Sequence, residues 1–457
     1  MGSRHVLGVL LLAAFLLLAG CTAPVADSAS AGLEEPTGEG AEGVETGADA
    51  ADDDGDSGDD GDEPADESDA DLAVEAETTA EADEVLPVDL NETFERTAGL
   101  VESEAEMPEV QVGDMDALLE GTYEGRQDPF QAALNMTETE VDTESARGVA
   151  TIGHVAVDPN EAERADVEQV VVHEFFHAIQ FAEGWQPQPE LEADVATSTD
   201  YTNVELALVE GGAVWITDQY SAEYQDDDVQ LQSERLAEEY ETAPDGDRYF
   251  RAPYHYGVQY ANATLEESTE IAEFYENPPT TTEQLLHGLD PDAGDAQPAT
   301  LSVETSADET WTLQRDDRLG ELFVRVALET ELDNDTAADA AAGWGNDRLI
   351  GFQHTDAGAD GAGVEDGDGN GDGDGDDWGF VWVLHWDTAD DADAFEDAFE
   401  TTLAERTDER ADETSVDRQS ERTTVVTVGP DEFHEAVSVT GSEADLEVTV
   451  DGVANET

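Results

Sequence analysis

The segment Val172-His173-Glu174-Phe175-Phe176-His177-Ala178-Ile179-Gln180 gives the clearest prediction of the fold and contains the residues most informative about function. His173 and His177 are four residues apart, so on a helix both imidazoles lie on one face and can bind one metal ion. Glu174 follows the first histidine and can point beside that ion, where a general base is needed. A pair of core or surface histidines is the plain alternative, but the apolar residues on both sides of the motif favour a buried metal-binding helix.

A helix is predicted around this motif, from residue 163 to residue 183. Apolar residues recur through that segment at helical spacing, and Gly184 is predicted to end the helix. Residues 149 to 157 are predicted to form one β-strand, which Asp158-Pro159-Asn160 ends. The sequence therefore predicts a strand that leads into a buried, metal-binding helix.

The two histidines need at least one further ligand. Structural zinc sites are normally closed by cysteines or more histidines, which are not at hand here, so a three-ligand site with an open position is expected. Glu210 is the best candidate, because it is the only charged residue in the apolar helix Ala207–Trp215 and an unpaired buried charge is costly. Gly211 and Gly212 would let helix backbones approach closely. A solvent-facing Glu210 is the alternative, and weaker candidate ligands are Glu183, Glu190, Glu192 and Glu205.

Composition narrows the possible functions. The chain carries 116 acidic residues against 16 basic ones, all of them arginine, for a formal net charge of −100. Phosphates would be repelled, which excludes nucleic-acid binding as a main role and argues against electrostatic attraction to anionic lipid. Self-repulsion destabilises such a chain in dilute buffer. We therefore expect it to work in salt that shortens the Debye length to about 3 Å.

Residues 1 to 20 are predicted to be a lipoprotein signal peptide. A basic start is followed by an apolar run too short to span a membrane, and Leu18-Ala19-Gly20-Cys21 resembles the lipobox of secreted lipoproteins. Cys21 is the only cysteine, and it is predicted to carry the lipid that attaches the protein to the extracellular face of the membrane. An ordinary signal peptide with a chance cysteine is the alternative. Residues 21 to 85 have the composition of a disordered acidic tether.

The rest of the chain is predicted to be an α+β protein with two domains. Residues 86 to 297 form a mostly helical metal-binding domain, with helices near 204–220, 228–241 and 254–265. Residues 298 to 457 form a small α+β module. Its acidic Asp-Gly-rich segment 356–377 matches most of a calcium-binding loop, and we predict that it is a disordered hairpin insertion between two strands.

The ordered motifs resemble known proteins. A histidine pair with this spacing, followed by a glutamate on a downstream helix, resembles the gluzincin zinc peptidases. The chain resembles more closely a family of haloarchaeal surface lipoproteins with a zincin-like core, over about residues 110 to 400. This second resemblance rests on the segments HEFFHAIQ, ALVEGGAVW, PYHYG (253–257), NPPTTTEQLLH (277–287), AAGWGNDR (341–348) and WDT (386–388). Val209 and Val214 depart from the Asn and Asp of thermolysin-like enzymes, so the groups that orient the ligands are not evident.

The resemblance implies a cell-surface zinc peptidase that acts on a peptide or protein substrate. One zinc ion on His173, His177 and Glu210 would make its bound water acidic, and Glu174 would take the proton and pass it to the leaving amine. The segment with His255 and Tyr256 is the candidate donor to the oxyanion, although tyrosines at such positions more often pack in a core. The alternatives are a non-enzymatic surface lipoprotein that keeps a structural or ligand-binding zinc site, and a cation-binding adhesion module.

Overall fold

A computed structural model describes residues 78–113, 128–136, 147–160, 162–187, 193–243, 245–293, 296–355, 378–406 and 413–451, with positions 189, 191 and 411. The predicted signal peptide, Cys21, most of the predicted tether and the insertion 356–377 lie outside the described residues. The last part of the predicted tether was wrong, because Thr79–Val85 is a helix. Its Ala82 is fully buried, and the Thr79 hydroxyl accepts a hydrogen bond from the Val110 amide.

The N-terminal half is mostly helical. Its elements are α1 (Thr79–Val85), α2 (Leu90–Leu100), β1 (Glu109–Val112), α3 (Pro129–Ala133), β2 (Arg147–Thr151), β3 (His154–Asp158), α4 (Arg164–Glu183), α5 (Ala193–Ala196), α6 (Thr199–Tyr224), α7 (Gln232–Thr242), α8 (Asp245–Thr264) and α9 (Thr282–His287). The helix predicted at 163–183 is confirmed as α4, and Gly184 ends it in the left-handed conformation with φ 73°. The next three predicted helices exist, and α6 and α8 are longer than predicted.

The single strand predicted at residues 149 to 157 was wrong, because this segment is a hairpin. Strands β2 and β3 pair antiparallel with Thr151 opposite His154, and Gly153 turns the chain with φ 79°. The turn contains the apolar residue Ile152, so hydrophobic periodicity alone predicts one continuous strand here. Strand β1 pairs parallel with β3, so the sheet order is β1-β3-β2, and β2 is an edge strand of this sheet.

Helices α6 and α8 cross at two glycines. A Cβ atom on Gly211 would overlap the backbone of Gly257, and one on Gly257 would overlap the carbonyl of Ala207. The expectation that glycines beside Glu210 allow close helix approach is therefore confirmed for Gly211. This contact holds the middle of α6, which carries Glu210, against its neighbour.

The C-terminal half is an α+β unit with two sheets. Its elements are β4 (Ser302–Ala307), β5 (Trp311–Asp317), α10 (Gly320–Glu329), α11 (Asn334–Ala341), β6 (Trp344–His354), β7 (Trp378–Trp386), α12 (Ala389–Glu405), β8 (Thr414–Ser420), β9 (Thr423–Val428), α13 (Asp431–Ala436), β10 (Val437–Ser442) and β11 (Asp445–Val450). One sheet has the order β5-β6-β7-β9-β8 and the other β10-β11-β4. Strands β6 and β7 pair antiparallel with Gln353 opposite Trp378, so the insertion does connect the two strands of a hairpin. The α+β class is confirmed.

One hydrophobic cluster joins the two halves across the predicted boundary at residue 297. Phe130 of the N-terminal half lies 5.9 Å from the Phe323 ring and 5.7 Å from the Trp382 ring, measured between centroids. The Tyr249 ring lies 5.4 Å from Phe323. All of these side chains are buried in the same cluster.

Among the described helices, none combines the length and the apolar character needed to cross a membrane.

Candidate metal centre

Three buried side chains from two helices meet at one point. His173 and His177 lie one turn apart on α4, and Glu210 comes from the middle of α6. The two imidazole Nε2 atoms are 3.0 Å apart, and each lies 3.2 Å from Glu210 Oε2. Within the described parts of the chain, this is the one group of His, Cys, Asp and Glu side chains whose possible ligand atoms converge in this way. The structure therefore brings together all three residues that the sequence predicts as ligands.

The spacing of these atoms fits a small metal ion. Ligands bound tetrahedrally at 2.0–2.1 Å lie about 3.3 Å from one another. The three distances in the triad are 3.0, 3.2 and 3.2 Å, so one ion could bind all three atoms with little movement of the side chains. Two imidazoles and a carboxylate are ligands that zinc accepts, and a fourth position would remain open.

Within the triad, Glu210 and His177 stabilise each other's charged forms. Burial alone would raise the pKa of Glu210, but the two histidines lower it to about 2. Burial alone would lower the pKa of His177, but the Glu210 carboxylate raises it to about 9. The pKa of His173 is lowered, chiefly by burial. Glu210 is thus anionic near neutral pH and available as a ligand.

Glu174 lies beside the triad and is buried against strand β2. A Cβ atom on Gly148 would lie 2.5 Å from its Cγ and 2.9 Å from its Oε1, so any larger residue at this position of β2 would displace the Glu174 side chain. Glu174 Oε2 is buried and has no hydrogen-bond partner among the described residues. Burial raises the pKa of Glu174 to about 8. Such a carboxyl group can exchange a proton near neutral pH.

Two glutamines orient the histidines, and the sequence analysis missed both. His177 Nδ1 lies 2.6 Å from Gln180 Oε1, and His173 Nδ1 lies 3.3 Å from Gln232 Oε1 on α7. Hydrogen bonds of this kind turn the opposite nitrogen, Nε2, towards a metal. Gln180 follows His177 by three residues, which is a visible signal on a helix. Gln232 is far away in sequence and carries no such signal.

Of the weaker ligand candidates, Glu183 and Glu205 have other partners than the triad. The Glu183 carboxylate accepts a hydrogen bond from Ser103, 2.6 Å away. Glu205 interacts with Tyr201, and burial raises the pKa of Glu205 to about 7. Glu190 and Glu192 lie outside the described residues.

The structure does not bring His255 and Tyr256 to the triad. The His255 ring stacks on Tyr240 at 4.5 Å, and the Tyr256 hydroxyl donates to the Tyr240 hydroxyl at 3.3 Å. Burial lowers the pKa of His255 to about 4. The reason is the helix face: Gly257 packs against α6, whereas the side chains of His255 and Tyr256 contact Tyr240 on α7.

The comparison with known proteins gives a match for the C-terminal half alone. The family model of a domain of unknown function (DUF8575) matches residues 309–455. The match lies within the predicted C-terminal module and does not include the three residues of the candidate metal centre. Neither a curated protein nor a solved structure matches the chain significantly.

Proposed function

We propose that the chain is a zinc-dependent peptidase-like hydrolase with Glu174 as its general base. The observation that carries this proposal is the buried Glu174 carboxylate, whose Oε2 lacks a hydrogen-bond partner among the described residues. An unpaired buried polar group costs free energy of about 1–3 kcal/mol or more. In a site that only stabilises the fold, this free-energy cost would bring no benefit. A general base, in contrast, needs an oxygen that is free to bind water.

The number of ligands supports the same proposal. Structural zinc sites have four protein ligands, whereas catalytic ones have three and an open position. His173, His177 and Glu210 supply three converging atoms, as in the histidine-histidine-glutamate set of zinc peptidases. The zincin-like character of this helix pair and the identity of the metal as zinc are parts of the proposal.

The chain's own residues divide the work as follows. When bound, a zinc ion acts as a Lewis acid and allows water to ionise near neutral pH. Glu174 accepts the proton of the attacking water and returns it to the leaving amine. Gly148 leaves room for the Glu174 side chain beside β2. His255 and Tyr256 have no part in these steps, because their contacts lie in another cluster.

One observation favours the alternative of a non-enzymatic protein with a structural or ligand-binding zinc site. His173, Glu174, His177 and Glu210 are each at most 3% exposed. A peptide reaches the ion only when the covering residues separate. The two functions therefore need a direct comparison.

Replacement of Glu174 by glutamine separates them. The zinc-loaded wild type is screened against a peptide library in molar salt, and Glu174→Gln is expected to lower the rate by about 10²–10⁴-fold while the zinc content stays unchanged. Glu168→Gln is the matched control, because Glu168 lies on the same helix and bonds Tyr220 instead. Hydrolysis that survives in Glu174→Gln would contradict Glu174 as the general base, whereas a zinc-loaded wild type that hydrolyses no peptide would leave the non-enzymatic alternative.

We also propose that the protein is a lipoprotein of the extracellular membrane face, attached through Cys21. The support is the apolar N-terminal run followed by Leu18-Ala19-Gly20-Cys21 and the acidic composition after it. Without the thiol no lipid can be attached, so Cys21→Ser is expected to move the protein from the membrane fraction into the medium. The amounts of wild type and of Cys21→Ser in the membrane fraction check this prediction. Equal amounts of the two proteins in that fraction would contradict it.

A further inference from the structure

Gln180 can adopt only one orientation of its amide group. Its Nε2 lies 3.1 Å from the Val209 carbonyl oxygen, which can only accept a hydrogen bond. The amide nitrogen must therefore face Val209, and the amide oxygen must face the opposite way. That oxygen lies 2.6 Å from His177 Nδ1.

The orientation of Gln180 determines the tautomer of His177. Because the Gln180 oxygen can only accept, His177 must donate from a protonated Nδ1. In a neutral imidazole the other nitrogen is then unprotonated. This nitrogen, Nε2, is the atom that meets His173 and Glu210.

Tyr275 holds Gln180 from a third side. It lies at the end of a short 3-10 turn, Glu273–Tyr275, and its hydroxyl accepts from Gln180 Nε2 at 2.8 Å and donates to the Leu208 carbonyl at 3.4 Å. A Cβ atom on Gly212 would overlap this hydroxyl. The second glycine after Glu210 thus makes room for the tyrosine, a different role from that of Gly211.

We propose that Gln180 is a positioning residue that presents His177 to the metal through Nε2, and that Tyr275 keeps Gln180 in that orientation. The proposal rests on the metal-binding part of the proposed function. Val209 directly precedes Glu210, so Gln180 also ties the histidine helix to the backbone beside the third ligand. The network replaces the orienting Asn and Asp that the sequence lacks around Glu210.

Zinc affinity of full-length variants tests this role, measured by competition with a chromophoric chelator in molar salt. Gln180→Leu is expected to bind zinc about 10–100-fold more weakly, because the Nδ1 proton loses its acceptor. Tyr275→Phe is expected to weaken binding in the same direction. Gln180→Glu keeps an acceptor for that proton and is expected to bind about 10-fold more tightly than Gln180→Leu.

A purely structural role predicts the opposite order for the two Gln180 variants. A buried carboxylate beside the Val209 carbonyl destabilises the fold more than a leucine does, so Gln180→Glu would then be the weaker binder. Imidazole ¹⁵N spectra of the nine histidines give a second readout. In the zinc-loaded protein, where the ion takes the place of the Nε2 proton, the signal that disappears in His177→Ala is expected to report a protonated Nδ1 in the wild type and a mixture of tautomers in Gln180→Leu.

Gln169→Leu is the matched control. Gln169 is a fully buried glutamine on the same helix, and its amide bonds the Ser221 hydroxyl and the Gln230 carbonyl rather than His173, His177 or Glu210. Its loss is expected to lower stability but not zinc affinity. Wild-type affinity in Gln180→Leu, or an equal loss in Gln169→Leu, overturns the positioning role. A wild type that binds zinc but hydrolyses no peptide overturns only the hydrolase, whereas a wild type without zinc overturns both proposals.

Discussion

Glu210→Ala is expected to abolish zinc binding by the full-length chain. Among the described residues, Glu210 Oε2 is the one carboxylate oxygen that lies near both histidines, at 3.2 Å from each Nε2. Its removal leaves two ligands from neighbouring turns of one helix and no charge to offset that of the ion. The loss of affinity should exceed the about 10–100-fold cost of losing an orienting partner.

Metal content by mass spectrometry in molar salt measures this effect. About one zinc per chain is expected in the wild type and almost none in Glu210→Ala. Glu205→Ala is the matched control, since Glu205 lies on the same helix and interacts with Tyr201 instead. Equal zinc in wild type and Glu210→Ala would show that the metal is bound elsewhere, and no zinc in a folded wild type would remove the metal centre.

Truncation after residue 297 is expected to prevent the N-terminal half from folding. The fragment loses Phe323 and Trp382, which pack on Phe130. Loss of one buried aromatic side chain costs about 3–5 kcal/mol, and a domain is stable by only about 5–15 kcal/mol in total. Several such losses therefore exceed the stability available.

The truncation also removes the partners at the start of the helix that carries Glu210. The Thr199 amide donates to Asp317 at 3.0 Å, and the fully buried Asp200 pairs with Arg318 at 3.0 Å. Without Arg318 and Asp317, the first turn of this helix loses the ion pair of Asp200 and the hydrogen bond of the Thr199 amide. We expect the fragment to lose zinc binding together with its fold.

Near-ultraviolet circular dichroism and zinc content of the fragment 78–297 check this prediction. The control is the full chain with residues 356–377 replaced by a short glycine-serine linker. It keeps the paired ends of β6 and β7 and is expected to fold and bind zinc. A cooperative thermal transition with one zinc in the fragment would instead make residues 86–297 an independent domain.

Local patterns predicted a large share of this structure. The helix around HEFFH and its end at Gly184 were read correctly, because helical periodicity and a terminal glycine act within one segment. The hairpin at β2 and β3 was missed, since Ile152 continues the apolar pattern through the turn. The helix Thr79–Val85 was missed as well, because its burial depends on contact with β1, and composition alone resembles that of the acidic tether.

The helix that carries His173, Glu174 and His177 and the α+β class could be predicted from the amino-acid sequence, because they depend on residue types at short fixed spacings. The tertiary structure decided that Glu210, among several acidic candidates, reaches the histidines, and that Gln180 and Gln232 orient them. It also decided that His255 lies elsewhere and that one core joins the two halves. The physical reason is that these features depend on which side chains share buried space, and helix crossings between distant segments determine that space.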